Sequence, residues 1–343
     1  MGTSAKDDHE AHSRRQRGGV LFEQMGIDLY PHPHLGFTLP PGHRSAVINT
    51  DGEGFRISDS PFGPVGSESW LEAGGGDLLL GSSVAFGMAA GSDGATPASQ
   101  LATLTGRRWL NLAVIAANSL QELIAAIPYL HAASTVVLFS GFGNYMAVMR
   151  TRRSPGSVFG PILYEGTYAK LTQVPLFDLA ELASGRMPED FEAATSGPPE
   201  EETDLSTIGA RVETAARVQL RDLTFLARAA DPRTRIVFCL QPWASPRTRD
   251  LTPEELTHYD FQKSSWGVPN EVLEEHLDPF AAMLAAGCEQ LGVEFFEMKA
   301  DEFVGTCFLT NGILTDEGNR QAAQIIHRYL SETPAVRRRT TVG

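Results

Sequence analysis

Asp77-Leu78-Leu79-Leu80-Gly81-Ser82-Ser83-Val84-Ala85-Phe86-Gly87 is the stretch on which the fold turns. A short apolar run straight into glycine reads as a buried strand ending at a tight turn. A serine just past such a strand is lifted to the carboxyl edge of the sheet, and its small neighbours let a ligand approach the backbone. If a helix begins at that turn, its first N–H groups have no intrahelical partner and can stabilise an oxyanion. The other reading of the two serines is a helix cap.

The same rhythm continues on both sides. Pro97 to Leu104 reads as a helix closed by Gly106, and Trp109 to Val114 as a second strand. A helix follows from Ser119 to His131, with Leu120, Leu123, Ile124, Ile127 and Leu130 as its apolar positions. Thr135 to Phe139 and Arg235 to Leu240 are further strands, separated by a helix over 207–230. A helix over 270–291, a strand near Val293 to Phe296 and a helix from Asp316 to Tyr329 close the series. In the last helix Asn319, Arg320, Gln324 and Arg328 are expected to face outward. Continuous apolar strands alternating with helices predict an α/β fold with a central parallel sheet covered on both faces. Such sheets place their sites at the carboxyl ends of the strands, near the topological switch.

Residues 20–331 are expected to form one domain. Residues 1–19 read as a disordered arm and 332–343 as a flexible tail. Residues 145–206 break the alternation, being rich in glycine, proline and charge, and read as an insertion that is either a lid or a surface loop. The turn-dense lead-in carries Pro31-His32-Pro33-His34-Leu35-Gly36-Phe37 and Asn49-Thr50-Asp51-Gly52-Glu53-Gly54-Phe55-Arg56.

The 343 residues are 42% hydrophobic, enough for one large core. A net charge of −14 leaves no electrostatic footprint for nucleic acid and disfavours an anionic membrane surface. Cys239, Cys288 and Cys307 are odd in number and widely spaced, with no metal-ligand spacing, so neither metal nor cofactor is expected. No apolar run suits a signal peptide or a membrane span, and a cytoplasmic location is expected.

Four segments in order, LLLGSSVAFG, NLAVIAANSLQEL, VVLFSGFGN and ILTDEGNRQAAQII, resemble the four blocks of the SGNH (GDSL-type) hydrolases. PHPHLGF and INTDGEGFR are similar to the lead-in of many bacterial members, and the resemblance spans roughly residues 30–331. It implies a three-layer α/β/α, flavodoxin-like fold and a small organic ester or acyl substrate. It also implies Ser83 as nucleophile, Ala117 N–H in place of a glycine donor, and the Asn144 amide as a further oxyanion donor. FCLQPW and LTPEEL further resemble SGNH-like bacterial proteins described as inducers of phenazine production.

The fourth block departs from the pattern. Where the family has aspartate and, three residues on, histidine, this chain has Thr310 and Ile313. Isoleucine cannot take a proton from serine, and threonine cannot orient an imidazolium as a carboxylate does. His34, His32 and His258 are the candidate alternative bases, with His34 first; Asp51, Glu53 and Arg56 share the lead-in and Asp316 begins the last helix, and Asp51 and Asp316 read equally as turn formers or caps. Two functions therefore stand: an esterase or acyl transferase with a non-standard base, or an inactive SGNH-fold binding or regulatory protein linked to secondary metabolism.

Overall fold

The computed structural model describes residues 30–32, 34–150, 205–262 and 269–336. The expected arm at 1–19, most of the insertion, the lid and the last residues of the tail lie outside them. A hairpin opens the described chain, β1 (Tyr30–His32) pairing antiparallel with β2 (Gly36–Thr38). The helices in order are α1 (Ser67–Glu72), α2 (Ser83–Phe86), α3 (Pro97–Thr105), α4 (Ser119–Ala126) and α5 (Phe142–Arg150). After the insertion come α6 (Ile208–Ala229), α7 (Pro253–Gln262), α8 (Asn270–Glu275), α9 (Leu277–Leu291) and α10 (Asp316–Glu332).

Between them run β3 (Gly76–Gly81), β4 (Trp109–Asn111), β5 (Ala133–Ser140), β6 (Arg235–Leu240) and β7 (Glu294–Glu297). All pair in parallel, in the order β4-β3-β5-β6-β7. Counted within the sheet this is 2-1-3-4-5, the flavodoxin-like order, whose switch point lies between its first and third strands. Here those are β3 and β5, so the turns after Gly81 and Ser140 flank the crevice.

Alternation along each strand explains the layers, because successive side chains leave opposite faces. Leu78, Leu80, Val136, Leu138, Ile236 and Phe238 share one core with α4, α5, α6 and α9. Leu79, Val137, Phe139, Val237 and Cys239 share the other with α2, α3 and α10. Most of these strand residues are fully buried, and each aliphatic or aromatic one contributes about 1.5–3 kcal/mol. The three-layer α/β/α arrangement with one central parallel sheet is therefore present as the sequence implied.

Several boundaries differ. The second strand stops at Asn111, whose side-chain Oδ1 accepts from Ala113 N and turns the chain off the sheet. The helix at Ser119 ends at Ala126, which leaves Ile127 about half exposed. His276 divides the helix predicted over 270–291 into α8 and α9. Residues 145–150 belong to α5 rather than to the insertion, because Tyr145 and Met149 are fully buried in the core. Asn319 faces inward, not outward, packed beside Ala322 and Ala323 on the buried face of α10.

The lead-in is a clamp. Arg56 is wholly buried, its Nε 2.8 Å from Asp93 Oδ1, while its two terminal nitrogens donate to Gly87 O (2.7 Å) and Val47 O (2.8 Å). Asp51 accepts from Phe55 N and from Ser67 N, closing a turn and starting α1. Asp316 accepts from Gly91 N at 2.8 Å. These charged groups hold segments together, which is the bland reading of each.

Candidate functional site

Gly81 makes the serine turn possible. Its φ is +149°, and a Cβ there would stand 2.2 Å from Phe139 O on the neighbouring strand. No side chain fits so close an approach. The chain then enters α2, a single turn with Ser83 as its first residue, closed by Gly87 in the left-handed region. Ser83 is half-buried at the switch point, reachable from solvent, while Val84, Ala85 and Phe86 anchor the turn in the core.

Opposite stands the loop after β4. Val114 N donates to Gly81 O, so the two loops are stitched together at the sheet edge. Ala116 then adopts φ +57°, a conformation costly for a residue with a Cβ. The consequence is a redirected amide: Ala116 N–H points at Ser83 Oγ, 3.3 Å away. The donor inferred for Ala117 falls one residue earlier, because Ala117 N–H is taken by Val114 O at 3.1 Å. Asn118 begins α4, its Oδ1 accepting from Leu120 N and its N–H donating to Gln121 Oε1.

Asn144 bonds to Ser119. It lies inside α5, where its Oδ1 accepts from Ser119 N (3.0 Å) and its Nδ2 donates to Ser119 Oγ (2.7 Å). Both ends of the amide are thus engaged at the start of α4. The residue nearest the serine loop on this side is Gly143, where a Cβ would stand 2.2 Å from Ala117 O. The bonds to Ser119 tie Asn144 to the first residue of α4, three residues past Ala116.

The fourth-block loop is a closed turn over the end of β6. Phe308 bridges Leu314, Leu309 N donates to Ile313 O, and Thr310 Oγ1 accepts from Ile313 N at 3.0 Å. Ala244 N donates to Asn311 O, and a Cβ on Gly312 would be 3.1 Å from the Gln241 amide. Below it Glu255 Oε1 accepts from Cys307 N and Phe308 N. Thr310 keeps the turn that an aspartate would make, and carries no charge.

None of the three candidate histidines hydrogen-bonds to Ser83 Oγ. His32 Nδ1 accepts from Leu35 N (3.0 Å) and His34 N (3.3 Å), which shapes the β1–β2 turn. Burial, and then the neighbouring His34, lower its pKa. His34 is exposed on the same turn, and His258 is half-buried on α7. Among the described residues the only hydrogen bond to Ser83 Oγ is the one from Ala116 N. A small apolar cavity lies beside the serine turn, lined by Leu39, Phe55, Phe86, Ala113, Val114 and Ile115. Trp243 packs edge-on against Phe142 at 5.1 Å, which makes it core rather than pocket wall.

Behind the loop sits a buried carboxylic acid that the sequence reading missed. Glu122 on α4 accepts from Ser140 Oγ at the end of β5. Burial pushes its pKa up to about 7, opposed by the Ser140 hydroxyl and the nearby Gln219 amide. Its position in SLQEL looked like an ordinary helix surface; only the arrival of α6 encloses it.

No protein-family model and no curated protein matches the chain. Among solved structures it is similar to an extracellular lipase from Streptomyces rimosus, 14% identical over 74% of this chain and 98% of that one, at a TM-score of 0.41. Phospholipase A1 from Streptomyces albidoflavus NA297 is 16% identical over 76% of this chain and 100% of that one, at 0.41. A carbohydrate acetylesterase from Sinorhizobium meliloti is 12% identical over 75% and 98%, also at 0.41. Likenesses at this level carry no argument about activity, and the fold rests on the sheet order and layers above. No helix among the described residues is long and apolar enough to cross a membrane.

Proposed function

We propose that the chain is an SGNH-type α/β protein that holds a small ester or acyl ligand at Ser83 without turning it over. One observation carries the reading: Ser83 Oγ accepts a hydrogen bond from Ala116 N and has no base on it among the described residues. General-base assistance is worth about 10²–10⁴ in rate. Without it, and with Asn144 committed to Ser119, the serine is a polar contact rather than an activated nucleophile. The phenazine-inducer resemblance at Phe238 to Trp243 and Leu251 to Leu256 supports a ligand linked to secondary metabolism. The second reading, an esterase or acyl transferase with a non-standard base, is favoured by a half-exposed serine with one backbone donor already in place.

A fluorophosphonate probe separates the two. Labelling of the wild type no greater than that of Ser83→Ala supports the binding protein, and Ser83-dependent labelling hands the site to the esterase. Thr310→Asp with Ile313→His restores the missing pair, and an aspartate can accept the same turn N–H groups as Thr310 Oγ1. That double variant is expected to label at least about tenfold faster than the wild type. An unchanged rate would mean that the vacancy at Ile313 is not what silences Ser83.

A further inference from the structure

A closed polar network lies behind the Ser83 loop, and the proposed function makes no use of it. Ser119 and Glu122 contribute from α4, Ser140 from the end of β5, Asn144 from α5, and Gln219 and Asp222 from α6. All six are buried. Ser119 Oγ donates to Asp222 Oδ2 at 2.5 Å, and Arg221 Nε donates to Asp222 Oδ1 at 2.7 Å. Ser140 Oγ donates to Glu122 Oε1, while Glu122 Oε2 and the Gln219 amide have no geometrically sound hydrogen bond.

Beside the Ser140 hydroxyl, the neutral Gln219 amide is the other group that favours the Glu122 carboxylate, and among the described residues no cation faces it. The charge acting on Glu122 from its neighbours is that of Asp222 on α6, which has the same sign. β5 presents only the Ser140 hydroxyl and α5 only the Asn144 amide, both neutral. Arg221, partly exposed, sits on the far oxygen of Asp222. An ionised Glu122 would be a second buried anion without a cation of its own, an arrangement that is strongly unfavourable.

We propose that Glu122 is a proton-controlled latch on the Ser83 loop, which locks the start of α4 against β5, α5 and α6 when neutral and releases it when ionised. The link to the pocket is short. Ser119 is fixed by Asn144 and Asp222, and three residues before it Ala116 holds the N–H that faces Ser83. Loosening α4 removes one of the two supports of that loop; the other is the Val114 bond to Gly81. The latch regulates the site assigned above, but it can be tested without any ligand.

The test is amide hydrogen exchange across residues 116–120 of the whole chain, corrected for the intrinsic rate at each pH. Opening that ionises a carboxylic acid should grow about tenfold per pH unit from the ordinary carboxylate range, and level off above about pH 7. Glu122→Gln keeps an acceptor for Ser140 and has no proton to lose, so its profile should be flat. Asp222→Asn removes the opposing charge and should bring the plateau to lower pH, which decides the matter if Glu122→Gln fails to fold. A flat wild-type profile, an unchanged slope in Glu122→Gln, or an unmoved plateau in Asp222→Asn overturns the latch. None of these outcomes depends on whether Ser83 binds or labels.

Discussion

Replacing Arg56 by methionine removes a guanidinium whose carbon lies 5.4 Å from the centre of the Phe86 ring, and keeps an unbranched apolar stem. Three contacts go at once: the ion pair with Asp93 and the bonds to Gly87 O and Val47 O. Asp93 retains its bonds from Asn49 N (3.0 Å) and Asn49 Nδ2 (2.6 Å) but loses its only cation. Breaking a buried pair from one side costs about 3–5 kcal/mol, since the surviving charge stays desolvated. Each stranded carbonyl adds about 1–3 kcal/mol where water cannot reach it. These terms overlap, so a loss of about 4–5 kcal/mol is expected, read as a lower urea midpoint at unchanged m. Adding Asp93→Asn should recover at least about 1.5 kcal/mol, because the orphaned charge is then gone. Gly87 closes α2, and Met88 N donates to Ser83 O, so the damage should reach the serine turn as well. A loss under about 1 kcal/mol for Arg56→Met, or no recovery in the double variant, would refute the clamp.

Other substitutions test other links. Gly81→Ala should cost at least about 2 kcal/mol by the same denaturation assay, since the new Cβ meets Phe139 O at 2.2 Å and Ala85 Cβ at 2.7 Å. Ala116→Gly should stabilise by about 1 kcal/mol by relieving φ +57°, and a loss would mean the alanine side chain packs better than it strains. Asp77, raised by burial from 3.8 to about 6 against the opposing pull of Arg107, favours its neutral form in the folded state. Its contribution is full below the unfolded value and is lost as pH rises through about 6. Two pH units at about 1.4 kcal/mol each give about 3 kcal/mol. Asp77→Asn should flatten that part of the stability profile between pH 4 and 7, and an unflattened curve would point to other groups.

Much of the sheet could be read directly, because a parallel strand buried on both faces writes itself as an unbroken apolar run. Leu78 to Leu80 and Ile236 to Leu240 serve two cores at once, which no half-exposed strand could do. Where a run continued past its strand the reading overshot. Trp109 to Val114 is apolar except for Asn111, yet only its first three residues pair, since the rest packs as loop against Gly81. Ile127 fits a helical stripe that the chain abandons one residue earlier. Burial without pairing looks the same as pairing when only hydropathy is visible.

The site divided along a different line. Ser83 was legible because a glycine, two serines and a preceding strand occupy consecutive positions. Ala116 was not, because its role rests on one backbone angle, and φ +57° at an alanine leaves no mark in composition. Asn144 shows a partner that the sequence did not: inside α5 its amide meets Ser119 at the start of α4. The loop from Leu309 to Thr315 closes without a histidine. Thr310 closes its turn through Oγ1, and Ile313 completes it through backbone groups alone. The loop bonds to itself, to Ala244 and to Glu255, so its shape is fixed by local polar contacts that hydropathy does not reveal.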